Sequence, residues 1–139
     1  MKKNRFWYLL LPTLTLILEI LPYGAIMRFA NPHGAPQQET YSYFDLLPFG
    51  YANFAPLLTA ILTCIIFALL FIYLIIGKNS IAVFAKRLTG ICTILSLGPL
   101  VLGTEYFSMI GGIITACLAI EWLTLHFSLQ KQSQKERTL

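Results

Sequence analysis

Two glutamates stand out as residues able to do chemistry. Glu19 lies in TLILEILPYG and Glu121 in ACLAIEWLTL, each inside a long apolar run. A charge at the centre of a bilayer costs about 2.5–3.5 kcal/mol on insertion scales. A carboxyl group there faces a protein interior, pairs with something, or keeps its proton. At helical spacing Glu19 shares a face with Thr15 and Tyr23, four residues away on either side. Glu121 lies nearer the inner end of the last run, beside Trp122. Together these residues form a candidate intramembrane polar site. The chemistry open to it is proton or cation binding; the alternative is a hydrogen-bonded carboxyl that only fixes helix pairing.

The elements that must position these residues follow from composition. The chain has 139 residues, 57% of them hydrophobic and 12% charged, about half the charged share usual in soluble domains. A bilayer core of about 30 Å needs roughly 20 apolar residues in a helix. Four such runs nearly use up the chain, at about 6–27, 54–76, 88–103 and 106–127. The expected fold is an all-α membrane protein: one domain, a bundle of four transmembrane helices. The segment 28–53 lies outside, 77–87 forms an inner loop, and 128–139 is a polar tail. The third run is the shortest, with a kink expected at Gly98-Pro99.

The net charge of +4 is a matter of location and carries no nucleic-acid signal. Nine of the ten Lys and Arg fall in three groups: Lys2, Lys3 and Arg5; Lys78, Lys86 and Arg87; Lys131, Lys135 and Arg137. Only Arg28 falls on the other side. The positive-inside rule then puts both termini and the middle loop in the cytoplasm of a multi-pass cell-membrane protein. The N-terminus has the basic start and apolar stretch of a signal peptide. Glu19 and Tyr23 interrupt the pattern that cleavage near Ala25 needs, so the segment is expected to be retained as helix one.

The outer segment is unusual. Its first half, RFANPHGAPQQET, is rich in turn formers; its second half is YSYFDLLPFGYANFAP. Tyr41, Tyr43, Phe44, Phe49, Tyr51 and Phe54 form a candidate outer docking surface, suited to lipid anchoring or to another membrane protein. Arg28, Glu39 and Asp45 either order this loop or meet a partner. Asn53 is placed to cap helix two.

Within the runs, Ala60, Cys64 and Ala68 recur at four-residue spacing on helix two, beside a row of Thr59 and Thr63. Ser108, Gly112 and Ala116 repeat the small pattern on helix four, with Cys117, Glu121, Thr124 and Ser128 as a polar row. Small faces let helices approach closely. Thr104 is placed to cap helix four and Glu105 to complement its dipole. Cys64, Cys92 and Cys117 sit inside apolar runs without a CxxC pair and read as packing residues. His33 falls in a turn and His126 near the inner interface. No three or four ligands converge, so no metal and no cofactor is expected. GxSxG, HExxH and phosphate-loop patterns are absent from the sequence.

Two stretches, LPYGA at 21–25 and YSYFDLLPFGYANFAPLLTA at 41–60, resemble a group of small four-helix membrane proteins of Gram-positive bacteria. The resemblance implies a bacterial inner-membrane location and brings no activity. A weaker likeness links the chain to the small multidrug resistance transporters, which are also short four-helix chains with one membrane glutamate in helix one. Their motif around that glutamate is missing from LILEILPYG, and the segment 28–53 is longer than their loops.

The expected function is a non-enzymatic interaction or accessory subunit of a membrane complex, partnered by another membrane protein or a second copy. The alternative is a small oligomeric proton-coupled transporter using Glu19. An enzyme acting on lipid near Glu105 has no second acid or histidine beside it in sequence. The expectation is a protein that is not an enzyme.

Overall fold

The computed structural model describes residues 7–32, 34–45 and 54–137, with side chains as far as 134. The described chain is mostly helical. Helix α1 spans Trp7–Ile20 and is followed by an antiparallel hairpin, β1 (Ala25–Phe29) and β2 (Gln37–Tyr41). Then come α2 (Ala55–Ile76), α3 (Asn79–Ser96), α4 (Gly98–Leu102), a 3-10 turn (Thr104–Tyr106) and α5 (Met109–Arg137). Three helical stretches, Ala55–Ile76, Asn79–Leu102 and Met109–Gln134, are long and apolar enough to cross a membrane. The 14-residue α1 is the shorter apolar helix; at about 1.5 Å per residue it reaches roughly 21 Å.

Several boundaries differ from those expected, each for a local reason. Helix one stops at Ile20 and not near 27, because Pro22 drives the residue before it out of helical geometry. The chain turns at once and enters β1 at Ala25, so the outer segment begins as a strand. Its partner β2 runs in the register Ala25↔Tyr41, Met27↔Glu39, Phe29↔Gln37. The expected inner loop 77–87 is mostly helix. Gly77 ends α2 in the left-handed region (φ 76°), its N–H donating to Tyr73 O at 2.8 Å, a conformation glycine adopts without strain. Helix α3 then starts at Asn79, and its buried face, Ala82, Ala85, Thr89, Cys92 and Ser96, keeps a 3–4 spacing from the first turn. The tail expected to fray is helical as far as Arg137, rich in the good helix formers Gln, Lys and Glu. Helix α5 begins at Met109 and not at 106. Ser108 caps it, accepting the Gly111 N–H at 2.7 Å, while Thr104 lies in the 3-10 turn without a side-chain cap. Asn53, the expected cap of α2, lies outside the described residues.

The kink expected at Gly98-Pro99 is present, as the break between α3 and α4. Pro99 has no N–H to offer the preceding turn. At this bend Gly98 meets the start of α2: a Cβ on Gly98 would stand 2.7 Å from Ala55 Cβ. Gly98→Ala is expected to cost about 1–3 kcal/mol through overpacking, seen as a lowered unfolding midpoint in mild detergent.

The four long elements pack in cyclic order, α1 on α2, α2 on α3, α3 on α5 and α5 on α1. Ile66, Leu70, Ile114, Leu118 and Leu125 fill the centre, with Ala60 and Ala85 where helices approach closely. The interior also holds Thr15, Glu19, Thr59, Thr63, Thr89, Ser96 and Glu121, while Ile65, Phe71, Ile75, Ile94 and Val101 are exposed. Polar groups inside and large apolar groups outside invert the soluble pattern and are compatible with a lipid surround.

Candidate functional site

Glu19 occupies the last turn of α1, where backbone carbonyls lack helical partners. The chain after β2 supplies them. Tyr43 N–H donates to Glu19 O at 3.0 Å, and the Ser42 hydroxyl donates to the same oxygen at 3.1 Å. Ser42 and Asp45 form a tight turn: Ser42 N–H donates to Asp45 Oδ2 at 2.8 Å, and Phe44 N–H to Ser42 Oγ at 3.0 Å. That turn drives the Tyr43 side chain inward, where it is 1% exposed.

Two glycines make the slot for Tyr43. A Cβ on Gly24 would stand 2.8 Å from the Tyr43 ring, and one on Gly111 would stand 3.1 Å from its hydroxyl. Burial, and then the nearby Glu19 carboxyl, push the Tyr43 hydroxyl pKa far up. It therefore stays protonated, and its ring fills the slot above Glu19. The hairpin is also fastened to the start of α5. Ser108 donates to Gly24 O, Ala25 bridges Phe107, and Arg28 pairs with Glu105. The other outer charges serve the same local order: Tyr41 donates to Glu39 and Asp45 holds Ser42.

Beneath this cap the Glu19 carboxyl is fully buried. Thr63 of α2 donates to its Oε1 at 2.8 Å, and Oε2 has no partner. Thr63 Oγ1 also lies 3.0 Å from Thr59 O. A hydroxyl has one proton, so with a carboxylate only one of these two acceptors is served. With a carboxylic acid, Glu19 donates to Thr63 and Thr63 donates to Thr59, and both contacts are satisfied. Rotation of one hydroxyl thus fits the site to either state. Cys92 of α3 completes the floor, its Sγ 3.6 Å from Thr59 O and 3.7 Å from Thr63 Oγ1.

Glu121 of α5 is 2% exposed, and neither of its carboxyl oxygens has a hydrogen-bond partner. The Glu19 charge is felt at Glu121, and Cys92 of α3 is buried in the same bundle. The two carboxyls share one interior, and among the described residues no basic side chain pairs with either. Two bare negative charges in that space repel strongly; the arrangement suits a bound proton or cation.

The expected site residues divide accordingly. Glu19 and Glu121 are both buried inside the bundle. Thr15 is buried on the Glu19 face, but its hydroxyl donates back to Leu11 O at 3.0 Å. Tyr23 is not part of the site: α1 has ended, and the side chain is 59% exposed. The expected docking surface is broken up. Tyr43 turns inward and Tyr41 is half-buried, leaving Phe44 and Phe54 exposed; Phe49 and Tyr51 lie outside the described residues. Thr63 and Cys92 are site residues that the sequence did not assign, and Tyr43, expected in the outer docking surface, packs inward over Glu19 instead. The Thr59/Thr63 row was the available signal, since two hydroxyls one turn apart in an uncharged span call for an interior partner. Among the described residues, no three His, Cys, Asp or Glu are grouped as metal ligands.

No protein family matches this chain, and neither a curated protein nor a solved structure is similar to it.

Proposed function

We propose that this chain is a small multi-pass membrane protein, not an enzyme, that binds and exchanges a proton or cation at Glu19 and Glu121, as a small proton-coupled transporter would. Three of the four carboxyl oxygens of these buried glutamates have no partner, and this observation carries the reading. An unpaired buried polar group costs free energy that an apolar side chain of similar volume would avoid. Keeping two of them fits a use for their charge. In this reading both termini face the cytoplasm of a bacterial inner membrane, and the hairpin covers Glu19 from the outer side.

The test uses the full chain in vesicles loaded with a pH-sensitive dye, under an inside-negative potential. The expected result is interior acidification that Glu19→Gln and Glu121→Gln each abolish. Equal acidification in both variants and the parent would sink the proposal.

A second reading, an accessory subunit docked to another membrane protein, draws on Cys64, Ala68 and Ala116. These small residues face outward from α2 and α5, where a foreign helix could approach closely. A stoichiometric membrane protein copurifying from the native host, with no proton uptake, would favour it.

A further inference from the structure

Helices α3 and α5 approach closely at Gly90. A Cβ there would stand 3.0 Å from Trp122 Nε1, so the missing side chain lets the indole lie against the α3 backbone. On the outside of the bundle this leaves a groove of about 400 Å³, lined by Gly90, Thr93, Ile94, Ala119, Trp122 and Leu123. Its walls are almost wholly apolar.

One end of the groove changes character. Lys86 and Arg87 lie four and three residues before Gly90, one turn down the same face of α3. His126 lies one turn beyond Trp122, its ring stacked on the indole at 5.4 Å, with Gln130 Nε2 3.0 Å from His126 Nε2. Neither Lys86 nor Arg87 is ion-paired among the described residues. From Lys86 to Leu102, at about 1.5 Å per residue, α3 and α4 together rise at most roughly 24 Å. This is close to a hydrocarbon core of about 30 Å, so the basic end falls at headgroup depth and the groove at acyl depth.

We propose that this groove holds an anionic phospholipid, with an acyl chain along Gly90 and Trp122 and its phosphate against Lys86 and Arg87. Charge selects the occupant: a zwitterionic headgroup brings no net charge to the two unpaired cations, while a phosphatidylglycerol headgroup does. The inference is independent of the interior carboxyls.

Trp122 reports on it directly. In a Trp7→Phe background, Trp122 is the remaining tryptophan. The full chain is placed in bilayers containing brominated-chain phosphatidylglycerol or phosphatidylcholine, and indole quenching is followed against mole fraction. Phosphatidylglycerol is expected to quench at the lower fraction. Lys86→Gln and Arg87→Gln should each weaken that preference roughly fivefold. Ala119→Leu, which fills the groove, should reduce quenching by both lipids. Should Ala119→Leu fail to fold, the two charge variants still decide. Equal quenching by both lipids in the parent overturns the proposal, as does unchanged quenching in a folded Ala119→Leu. A parent dimer whose Trp122 neither lipid quenches also overturns it, since a second copy would then fill the groove.

Discussion

Glu121→Leu is expected to make the bundle more stable by about 1–3 kcal/mol, while abolishing its response to protons. The sign follows from the environment. Glu121 is buried, neither of its oxygens has a partner, and it shares its space with a second carboxyl. A leucine of similar bulk removes an unmet polar demand and a like-charge repulsion, and it adds packing against a core that already includes Leu118 and Leu125. Glu19→Leu should gain less, because Glu19 Oε1 accepts a hydrogen bond from Thr63 and the substitution forfeits it. Thr63 itself is not stranded, since Thr59 O remains within reach at 3.0 Å. The measurement is resistance to denaturation in mild detergent, with the order Glu121→Leu above Glu19→Leu above the parent. A marked loss of stability in Glu121→Leu would mean the carboxyl holds the helices together, and the exchange reading would lose its basis.

The second large effect concerns the cap. Tyr43→Ala should remove about 3–5 kcal/mol from docking of the hairpin onto the bundle, the usual range for deleting a buried aromatic. Nothing flexible stands ready to refill the slot, because its walls are the glycines Gly24 and Gly111. Hydrogen exchange at the Tyr43 amide, which donates to Glu19 O at 3.0 Å, reads this locally. At about 1.4 kcal/mol per factor of ten, protection there should fall by roughly two to three and a half orders of magnitude. Amides in the middle of α2 should change far less. Tyr43→Phe should retain most of the protection, since the ring and not the hydroxyl fills the slot. Uniform loss of protection across all helices would mean that Tyr43 supports the whole bundle and is not a plug over Glu19.

Both predictions rest on features visible to different degrees in the amino-acid sequence. Helical content and the long apolar runs were legible, because satisfying backbone groups among apolar side chains leaves few alternatives to helix. The kink at Gly98-Pro99 was legible because proline cannot donate. Glu19 and Glu121 were legible as anomalies, since a carboxyl in an apolar run has no lipid-facing rationale. The hairpin was not. Its strands are five residues each, and every β2 residue from Gln37 to Thr40 is exposed, so no alternation marks the strand. What holds it in place is remote in sequence: Glu105 and Ser108 lie more than 70 residues from the hairpin groups they bind.

The residue types alone thus determined that apolar helices form and that two of the apolar runs carry an acid, because local sequence suffices for both. Only the tertiary structure decided that the acids share one interior, that Thr63 and Cys92 floor the site, and that Tyr43 faces Glu19 and not a partner. Those facts depend on which helix faces abut. Small residues such as Gly24, Gly90 and Gly111 set that pairing by the space they leave, and such space becomes a feature only when another chain segment occupies it.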